Sequence, residues 1–179
     1  AMAPVERRMW LRLLAPDDAA DLVQEAPAED RAELLTLLDP ATRREVTGLL
    51  AYAEDQAGGL MNPHYARLRP DMSVAEAIAY LHRFAREHRD AVYYAYVLDA
   101  EARLLGTASF RELFAADPGQ PITDVMRADP VTVPEHLDQE EVSKIFASHH
   151  FLALPVVDDE GRMKGVVTLD DVVDVVREE

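Results

Sequence analysis

The stretch GRMKGVVTLDDVVDVV, residues 161–176, decides the fold of this 179-residue chain. A turn ends at Gly161, and 165–168 is rich in β-branched residues, which predicts a short buried strand. A helix is predicted to follow, beginning where Thr168 or Asp170 can cap it. On a helical projection, one face of this segment is apolar and the opposite face is acidic. The apolar face holds Leu169, Val172, Val175 and Val176, and the acidic face holds Asp170, Asp171, Asp174 and Glu178.

The same pattern occurs once more, earlier in the chain. RLLGTAS at 103–109 aligns with RMKGVVT at 162–168, and the segments that precede them align as well. Each copy predicts a strand, a helix, two strands and a helix, so the sequence contains two tandem β-α-β-β-α units. Because units of about sixty residues bury little surface alone, we expect their two sheets to pair face to face. The predicted fold class is α/β, more strictly α+β.

Residues 1–56 have a helical pattern instead. Pro16, Pro27 and Pro40 recur at similar intervals, each near a predicted helix start, where proline is tolerated. Short leucine-rich helices at regular spacing are typical of the end of a helical solenoid, which must dock on the rest of the chain or on a partner. The predicted domains are a helical segment at 1–56, a first unit at 57–122, and a second unit at 123–179 that includes the start of a further helix.

The composition narrows the class of function. The chain has 34 acidic and 18 basic residues, a net charge of −16. This charge argues strongly against nucleic acid as a partner, because phosphates need a basic surface. It suits a basic protein or metal ions, and the ordinary alternative is that many cytosolic proteins are simply acidic. Because the chain has no cysteine, disulfides and thiolate metal sites are excluded. No P-loop and no nucleophile–base arrangement is evident, so we do not expect an enzyme.

Two stretches carry a family resemblance. LPVVDDEGRMKGVVTLDDVV at 154–173 and YVLDAEARLLGTASFREL at 96–113 resemble the strand–turn–strand–helix ends of a CBS domain pair. In combination with this pair, LLDPATRREV at 37–46, YAEDQAGGLMNP at 52–63 and YYAYVLD at 93–99 resemble the cytosolic region of MgtE-type magnesium transporters. In that family a helical N domain precedes two CBS domains, and a connecting helix leads to the membrane pore.

The resemblance implies a function. The chain would be a magnesium sensor on the cytoplasmic face of the membrane, a homodimer through its CBS domains that acts on the transmembrane pore domain of the same full-length protein. Bound Mg²⁺ would neutralise acidic faces between the N domain and the CBS pair and favour the closed state. Carboxylate oxygens and waters are the ligands that Mg²⁺ prefers.

The resemblance also implies a set of metal-binding residues. They are Asp17, Asp21, Gly59, Asp171, Asp174, Glu178 and Glu179. Asp17 and Asp21 are one helical turn apart and share a face, which the resemblance places opposite Asp171 and Asp174. Ordinary alternatives exist: Asp17 or Asp18 caps a helix after Pro16, the final acidic face is merely solvated, and Gly59 is a turn glycine with an unusual φ. His150 stands where the family has an aspartate ligand, so we expect that one site to be weakened or lost.

A second expected ligand is ATP or another adenine nucleotide, held in the cleft between CBS units. In CBS pairs a Thr or Ser and an Asp three residues later hold the ribose, a spacing that Thr168 with Asp171 fits, and Ser109 with Glu112 fits less well. Arg103 and Arg111 would reach the phosphates, and Tyr94 or Phe151 would stack on the base. The ordinary alternative is that Thr168 caps its helix and the arginines pair with nearby acids.

Two competing functions stay open at this stage. The first is an adenine-nucleotide-binding CBS module that controls another enzyme or transporter. The second is a dimerisation scaffold without a ligand. The two repeats differ in a way that favours a specific role, because Arg111 of the first unit stands where the second unit has Asp170.

Overall fold

Three short helices follow a helical turn at 9–11 in the structure, a computed structural model that describes residues 9–88 and 93–177, with side chains as far as residue 173. They are α1 (Pro16–Glu25), α2 (Ala28–Leu37) and α3 (Pro40–Leu49). Pro16 and Pro40 occupy the first turn of their helices and Pro27 is the N-cap of α2, which confirms the helix starts predicted from the prolines. Within the described residues, no helix is both long enough and apolar enough to span a membrane.

Two units of the predicted β-α-β-β-α order follow. The first comprises α4 (Ala57–Leu60), β1 (Ala66–Leu68), α5 (Val74–Glu87), β2 (Tyr94–Leu98), β3 (Leu104–Ser109) and α6 (Phe110–Ala115). The second comprises α7 (Ile122–Val125), β4 (Arg127–Ala128), β5 (Val133–Pro134), α8 (Gln139–His149), β6 (Ala153–Val157), β7 (Met163–Thr168) and α9 (Leu169–Arg177). The mixed α/β class predicted from the repeat is confirmed.

The two sheets repeat each other in detail. In each, the first strand pairs parallel with the second, and the second pairs antiparallel with the third. The register shifts between Val97 and Leu98 in one sheet and between Val156 and Val157 in the other, which are equivalent places in the repeat.

Each sheet is extended by the segment that leads into the other unit. Arg127 of β4 pairs with Thr107 of β3 in the first sheet, and Asn62 forms a bridge with Val166 of β7 in the second. These contacts require a glycine in the neighbouring strand. A Cβ at Gly106 would lie 2.7 Å from the carbonyl oxygen of Arg127, and a Cβ at Gly165 would lie 2.8 Å from that of Asn62.

The N-terminal helices share a hydrophobic core with the second unit. Ala20 of α1 and Val46 of α3 are buried in the same cluster as Phe146 and Val172. The first unit has its own core, and a third cluster that includes Tyr65, Tyr96 and Met163 fills the space between the units.

Backbone hydrogen bonds fix the link between α3 and the first unit. The N–H of Ala57 donates to the Leu137 carbonyl at 2.8 Å, and the N–H of Gly58 donates to that of Glu135 at 2.8 Å. The Tyr52 hydroxyl donates to the Glu135 carboxylate at 2.6 Å. The helical segment is therefore held against the second unit, and α1 lies beside the start of α9.

Candidate functional site

An acidic cleft separates α1 from the start of α9. Its volume is about 320 Å³, and seven carboxylates but no lysine or arginine line it. The lining residues are Asp17, Asp18, Asp21, Gln24, Glu25, Glu54, Asp55, Leu60, Gln139 and Asp171. The structure thus brings together three of the residues predicted to bind metal, namely Asp17, Asp21 and Asp171.

Asp17 is the most buried acid of the cleft. Its exposed fraction is 9%, and its Oδ1 atom is buried without a hydrogen-bond partner among the described residues. Burial, and then the negative charges of Asp171 and Asp18, raise the pKa of Asp17 to about 7. Neither Asp17 nor Asp18 is the N-cap of α1, which is Ala15, although backbone N–H groups of the first turn hydrogen-bond the Asp17 carboxylate and lower its pKa.

Asp171 is held at the start of α9 by Thr168. Its Oδ2 accepts hydrogen bonds from the Thr168 N–H at 2.7 Å and from the Thr168 hydroxyl at 2.8 Å. Burial raises the pKa of Asp171 to about 6 even though these two bonds lower it, and the charges of Asp18 and Asp170 add to the rise. The carboxylate is therefore fixed in place and lies in a region of negative potential.

Asp21 lies one turn beyond Asp17 on the same face of α1. Burial of its carboxylate in the cleft, with the charges of Asp18 and Asp171, raises the pKa of Asp21 to about 6. The residue as a whole remains exposed, so water screens its charge more than that of Asp17. Asp21 is the solvent-facing rim of the cleft.

Gly59 is not the turn glycine with an unusual φ that the sequence allows. It has no positive φ, since the only glycine with one in the described residues is Gly161. A Cβ at Gly59 would overlap the carbonyl oxygen of Ala53, so close backbone approach requires the glycine. Gly59 itself does not line the acidic cleft, although its neighbour Leu60 does.

The other residues predicted to bind metal contribute no described side chain to the acidic cleft. The side chain of Asp174 and all of Glu178 and Glu179 lie outside the described part of the structure. His150 is exposed and ends α8 in the left-handed conformation, with a φ of 54°.

The donor set suits a hydrated divalent ion. No three or more His, Asp or Glu side chains within the described ranges are already arranged to hold one ion directly. Mg²⁺ usually keeps several waters and binds through one or two carboxylates, so it does not need such a cage. The buried, partnerless Oδ1 of Asp17 in a cleft without basic residues fits this mode of binding.

Sequence reasoning missed four acids of the cleft. The sequence pattern predicts Asp18 only as a possible helix cap and predicts no role for Glu25, Glu54 or Asp55, yet all four line the cleft. A signal existed for Glu25, which follows Asp21 at the helical spacing of four residues. Glu54 and Asp55 had none, because their position depends on the docking of the link against residues 135–139.

A second cleft of about 610 Å³ lies between the two units. Five of the residues predicted for a nucleotide line it, namely Tyr94, Ser109, Arg111, Glu112 and Phe151. The other two do not: Thr168 bonds to Asp171, and Arg103 lies in the β2–β3 connection, bridged to Arg162. The cleft has aromatic walls from both units and basic side chains on one side.

The negative charge of Glu112 in this cleft is already balanced by neighbouring groups. Its Oε2 accepts hydrogen bonds from the Ser109 N–H and hydroxyl, each at 2.8 Å, and its Oε1 pairs with the guanidinium of Arg127. Although burial opposes the effect, these partners hold the pKa of Glu112 below its usual value. Arg127 was not predicted, since its place in the chain gives no sign that it reaches Glu112.

Family comparisons agree with this architecture. The CBS domain family matches residues 57–119 and 122–178, and the MgtE intracellular N domain matches residues 1–55. The fold and its clefts therefore define a tandem CBS-domain protein. The magnesium transporter MgtE of Thermus thermophilus is 46% identical over 166 residues, which are 91% of this chain and 37% of that transporter.

Two crystal structures extend the comparison. The cytosolic domain of the Mg²⁺ channel MgtE in complex with ATP superposes with a TM-score of 0.92 at 44% identity, covering 97% of this chain and 71% of that one. The soluble part of a magnesium transporter superposes with a TM-score of 0.93 at 30% identity, covering 99% and 69%.

The chain belongs to the MgtE family and corresponds to the cytosolic region of its magnesium transporters. It spans between 30% and 37% of the length of the three MgtE transporters it matches.

Proposed function

We propose that this chain is the magnesium-sensing part of a magnesium transporter, on the cytoplasmic face of the membrane. Mg²⁺ bound in the acidic cleft holds α1 against α9 and favours the closed state of the pore. The observation that carries the proposal is the buried Oδ1 of Asp17, which lacks a partner and faces the same cleft as Asp171. The role is ligand sensing rather than catalysis.

Charge repulsion supplies the switch. Seven carboxylates around one cleft repel each other, which favours separation of α1 from α9 when no cation is present. A divalent cation with its waters removes the repulsion and bridges the two sides. The ion shifts the equilibrium only by the difference in its affinity for the closed and open arrangements.

The closing helices, meaning the last helix of each unit (α6 and α9), support a homodimer. Phe114 of α6 and Val173 of α9 hold equivalent positions in the two units and are 66% and 40% exposed. Exposed apolar side chains on a pair of related helices are typical of a symmetric interface between copies of one chain. Dimerisation through these CBS helices gives the sensor two copies that act on one pore domain.

Nucleotide binding is a second candidate function, favoured by the cleft between the units. Tyr94 and Phe151 supply aromatic faces for a base, and Arg111 and Arg127 supply cations for phosphates. The relative with a TM-score of 0.92 was crystallised with ATP. ATP binding here would accompany magnesium sensing, because it uses a different cleft.

The magnesium proposal is tested by thermal unfolding at constant ionic strength. Millimolar MgCl₂ should raise Tm, whereas KCl at equal ionic strength should not. Asp17→Asn with Asp21→Asn should abolish most of this rise. A control for the loss of charge alone is Glu29→Gln with Glu33→Gln, which also removes two carboxylates one turn apart, but exposed ones on α2, away from the cleft. A wild-type protein that does not respond to MgCl₂ contradicts the proposal.

The nucleotide proposal is tested by calorimetric titration with ATP. Arg111→Ala should weaken binding, while Arg103→Ala, an arginine outside the cleft wall, should leave it unchanged. Equal effects of the two substitutions contradict the assignment of this cleft. If ATP stabilises the chain and MgCl₂ alone does nothing, the chain is instead a nucleotide-sensing CBS module that controls another enzyme or transporter.

A further inference from the structure

Asn62 and Arg127 occupy the same place in the two units. Arg127 pairs with Thr107 of β3, and Asn62 pairs with Val166 of β7. Thr107 and Val166 are equivalent in the repeat, since 103–109 aligns with 162–168. Each of the two residues therefore lies beside the strand that leads directly into a closing helix.

The side chains at this place differ in charge. The guanidinium of Arg127 pairs with Glu112 on α6. The amide of Asn62 is neutral, and its Oδ1 accepts a hydrogen bond from the His64 N–H at 2.8 Å. Asp171, the equivalent of Glu112, forms no ion pair with any described residue. Within the described ranges, α6 thus has a cation paired with its first-turn acid, and α9 has none.

We propose that Asn62 is a specificity-determining residue: its neutral side chain withholds from Asp171 the cation that Arg127 supplies to Glu112, and so makes the acidic cleft depend on a cation from solution. The inference rests on the function proposed for that cleft. An arginine at position 62 would reach Asp171 as Arg127 reaches Glu112. A guanidinium bound to a carboxylate is a strong charge-assisted contact, and it would compete with Mg²⁺ for the same oxygens.

Space for a longer side chain lies next to Asn62. The residue is 6% exposed, but it borders a cleft of about 260 Å³ that residues 12–16 and His64 also line. Arg12 borders this cleft too, and among the described contacts it forms no ion pair with Asp171. Position 62 therefore borders free space, and among the described residues no basic side chain pairs with Asp171.

The test substitutes Asn62 and leaves every carboxylate in place. Asn62→Arg should raise Tm in the absence of Mg²⁺, because the internal cation relieves repulsion. It should also raise the MgCl₂ concentration for half-maximal stabilisation about tenfold, a loss of about 1.4 kcal/mol of binding free energy. Asn62→Gln is the neutral control and should keep the wild-type response. A packing defect alone would lower Tm in both variants.

Three results would overturn the inference. The first is an Asn62→Arg protein that folds and keeps the wild-type magnesium midpoint. The second is an equal loss of response in Asn62→Arg and Asn62→Gln. If Asn62→Arg does not fold, the third result comes from Arg127→Asn. Removing the arginine that pairs with Glu112 should lower Tm. An unchanged Tm would refute a charge-neutralising role for this position of the repeat. Failure of the wild type to respond to MgCl₂ would instead refute the proposed function itself.

Discussion

Helices α6 and α9 begin with the same hydrogen bonds in surroundings of opposite charge. Ser109 bonds to Glu112 through its N–H and hydroxyl, and Thr168 bonds to Asp171 in the same way. Glu112 then meets the cation of Arg127, whereas Asp171 meets the acids of α1. At α6 this pattern is a full capping box, because the Glu112 N–H also donates to the Ser109 hydroxyl, while at α9 the two bonds from Thr168 to Asp171 are described. The charge around it differs because other elements supply that charge.

The largest effect is expected from removing the charge of Asp17. Asp17→Asn should raise the free energy of unfolding without Mg²⁺ by about 1–3 kcal/mol, because an ionised carboxylate buried beside Asp171 is costly. For a chain of this size, each 1 kcal/mol corresponds to a shift in Tm of about 2–4 °C. Urea unfolding at pH 7.5 measures the change, and a destabilised variant contradicts the picture of a repulsive cleft.

The equivalent change in the first unit should have the opposite sign. Glu112→Gln removes a carboxylate that Ser109 and Arg127 already satisfy, so we expect a loss of about 1–2 kcal/mol. Urea unfolding under the same conditions provides the comparison. A stabilised Glu112→Gln protein would show that the two helix starts do not differ in charge balance.

The pH dependence should show the same contrast. The pKa values of Asp17, Asp21 and Asp171 are raised from 3.8 to about 7, 6 and 6. Between about pH 4 and pH 7 the folded state holds protons that the unfolded state has released, so these groups make stability fall as pH rises through that window. Burial lowers the pKa of His88, which acts in the opposite direction.

The difference between the wild type and Asp17→Asn isolates the contribution of the cleft. Without Mg²⁺, the stability gained by the variant should shrink as pH falls from 7.5 to 5, and saturating Mg²⁺ should remove most of it at pH 7.5. Tm measured across this range checks both parts. A gain that does not change with pH would mean that Asp17 is not charged at pH 7.5.

The smallest effect is expected from the two caps themselves. Ser109→Ala and Thr168→Ala should each cost about 1 kcal/mol, since each removes one hydroxyl that bonds at a helix start. Thr168→Ala should additionally raise the pKa of Asp171, because the Thr168 bonds lower it. The rise can be measured from the carboxyl chemical shift of Asp171, followed by NMR as the pH is changed. An unchanged pKa would show that Thr168 only caps the helix and does not stabilise the charge of Asp171.

The features that sequence predicts well are local or repeated. The β-α-β-β-α order and the helix starts at Pro16 and Pro40 follow from periodicity and backbone chemistry, which a short segment contains. Alignment of the repeats also identifies Ser109 with Thr168 as equivalent helix starts. These predictions need no knowledge of what packs against each element.

The features that sequence misses depend on docking. Glu54 and Asp55 reach the acidic cleft because the link binds the second unit, and Arg127 reaches Glu112 because β4 joins the sheet of the other unit. Arg103 was predicted at the nucleotide cleft by its charge, but the turn between β2 and β3 carries it away from the cleft wall. The type of a residue predicts which chemistry its side chain can perform, whereas the contacts between distant parts of the chain decide where that side chain lies.

The exchange of edges between the units has a consequence for how the chain folds. Asn62 meets Val166, and Arg127 meets Thr107, so neither sheet is complete until both halves of the chain are present. A cut between the units would leave each half with an exposed strand edge, a surface prone to aggregation. The pair should therefore unfold in one cooperative transition. Its folding should also be slow for its size, because contacts between residues so far apart in sequence must form late.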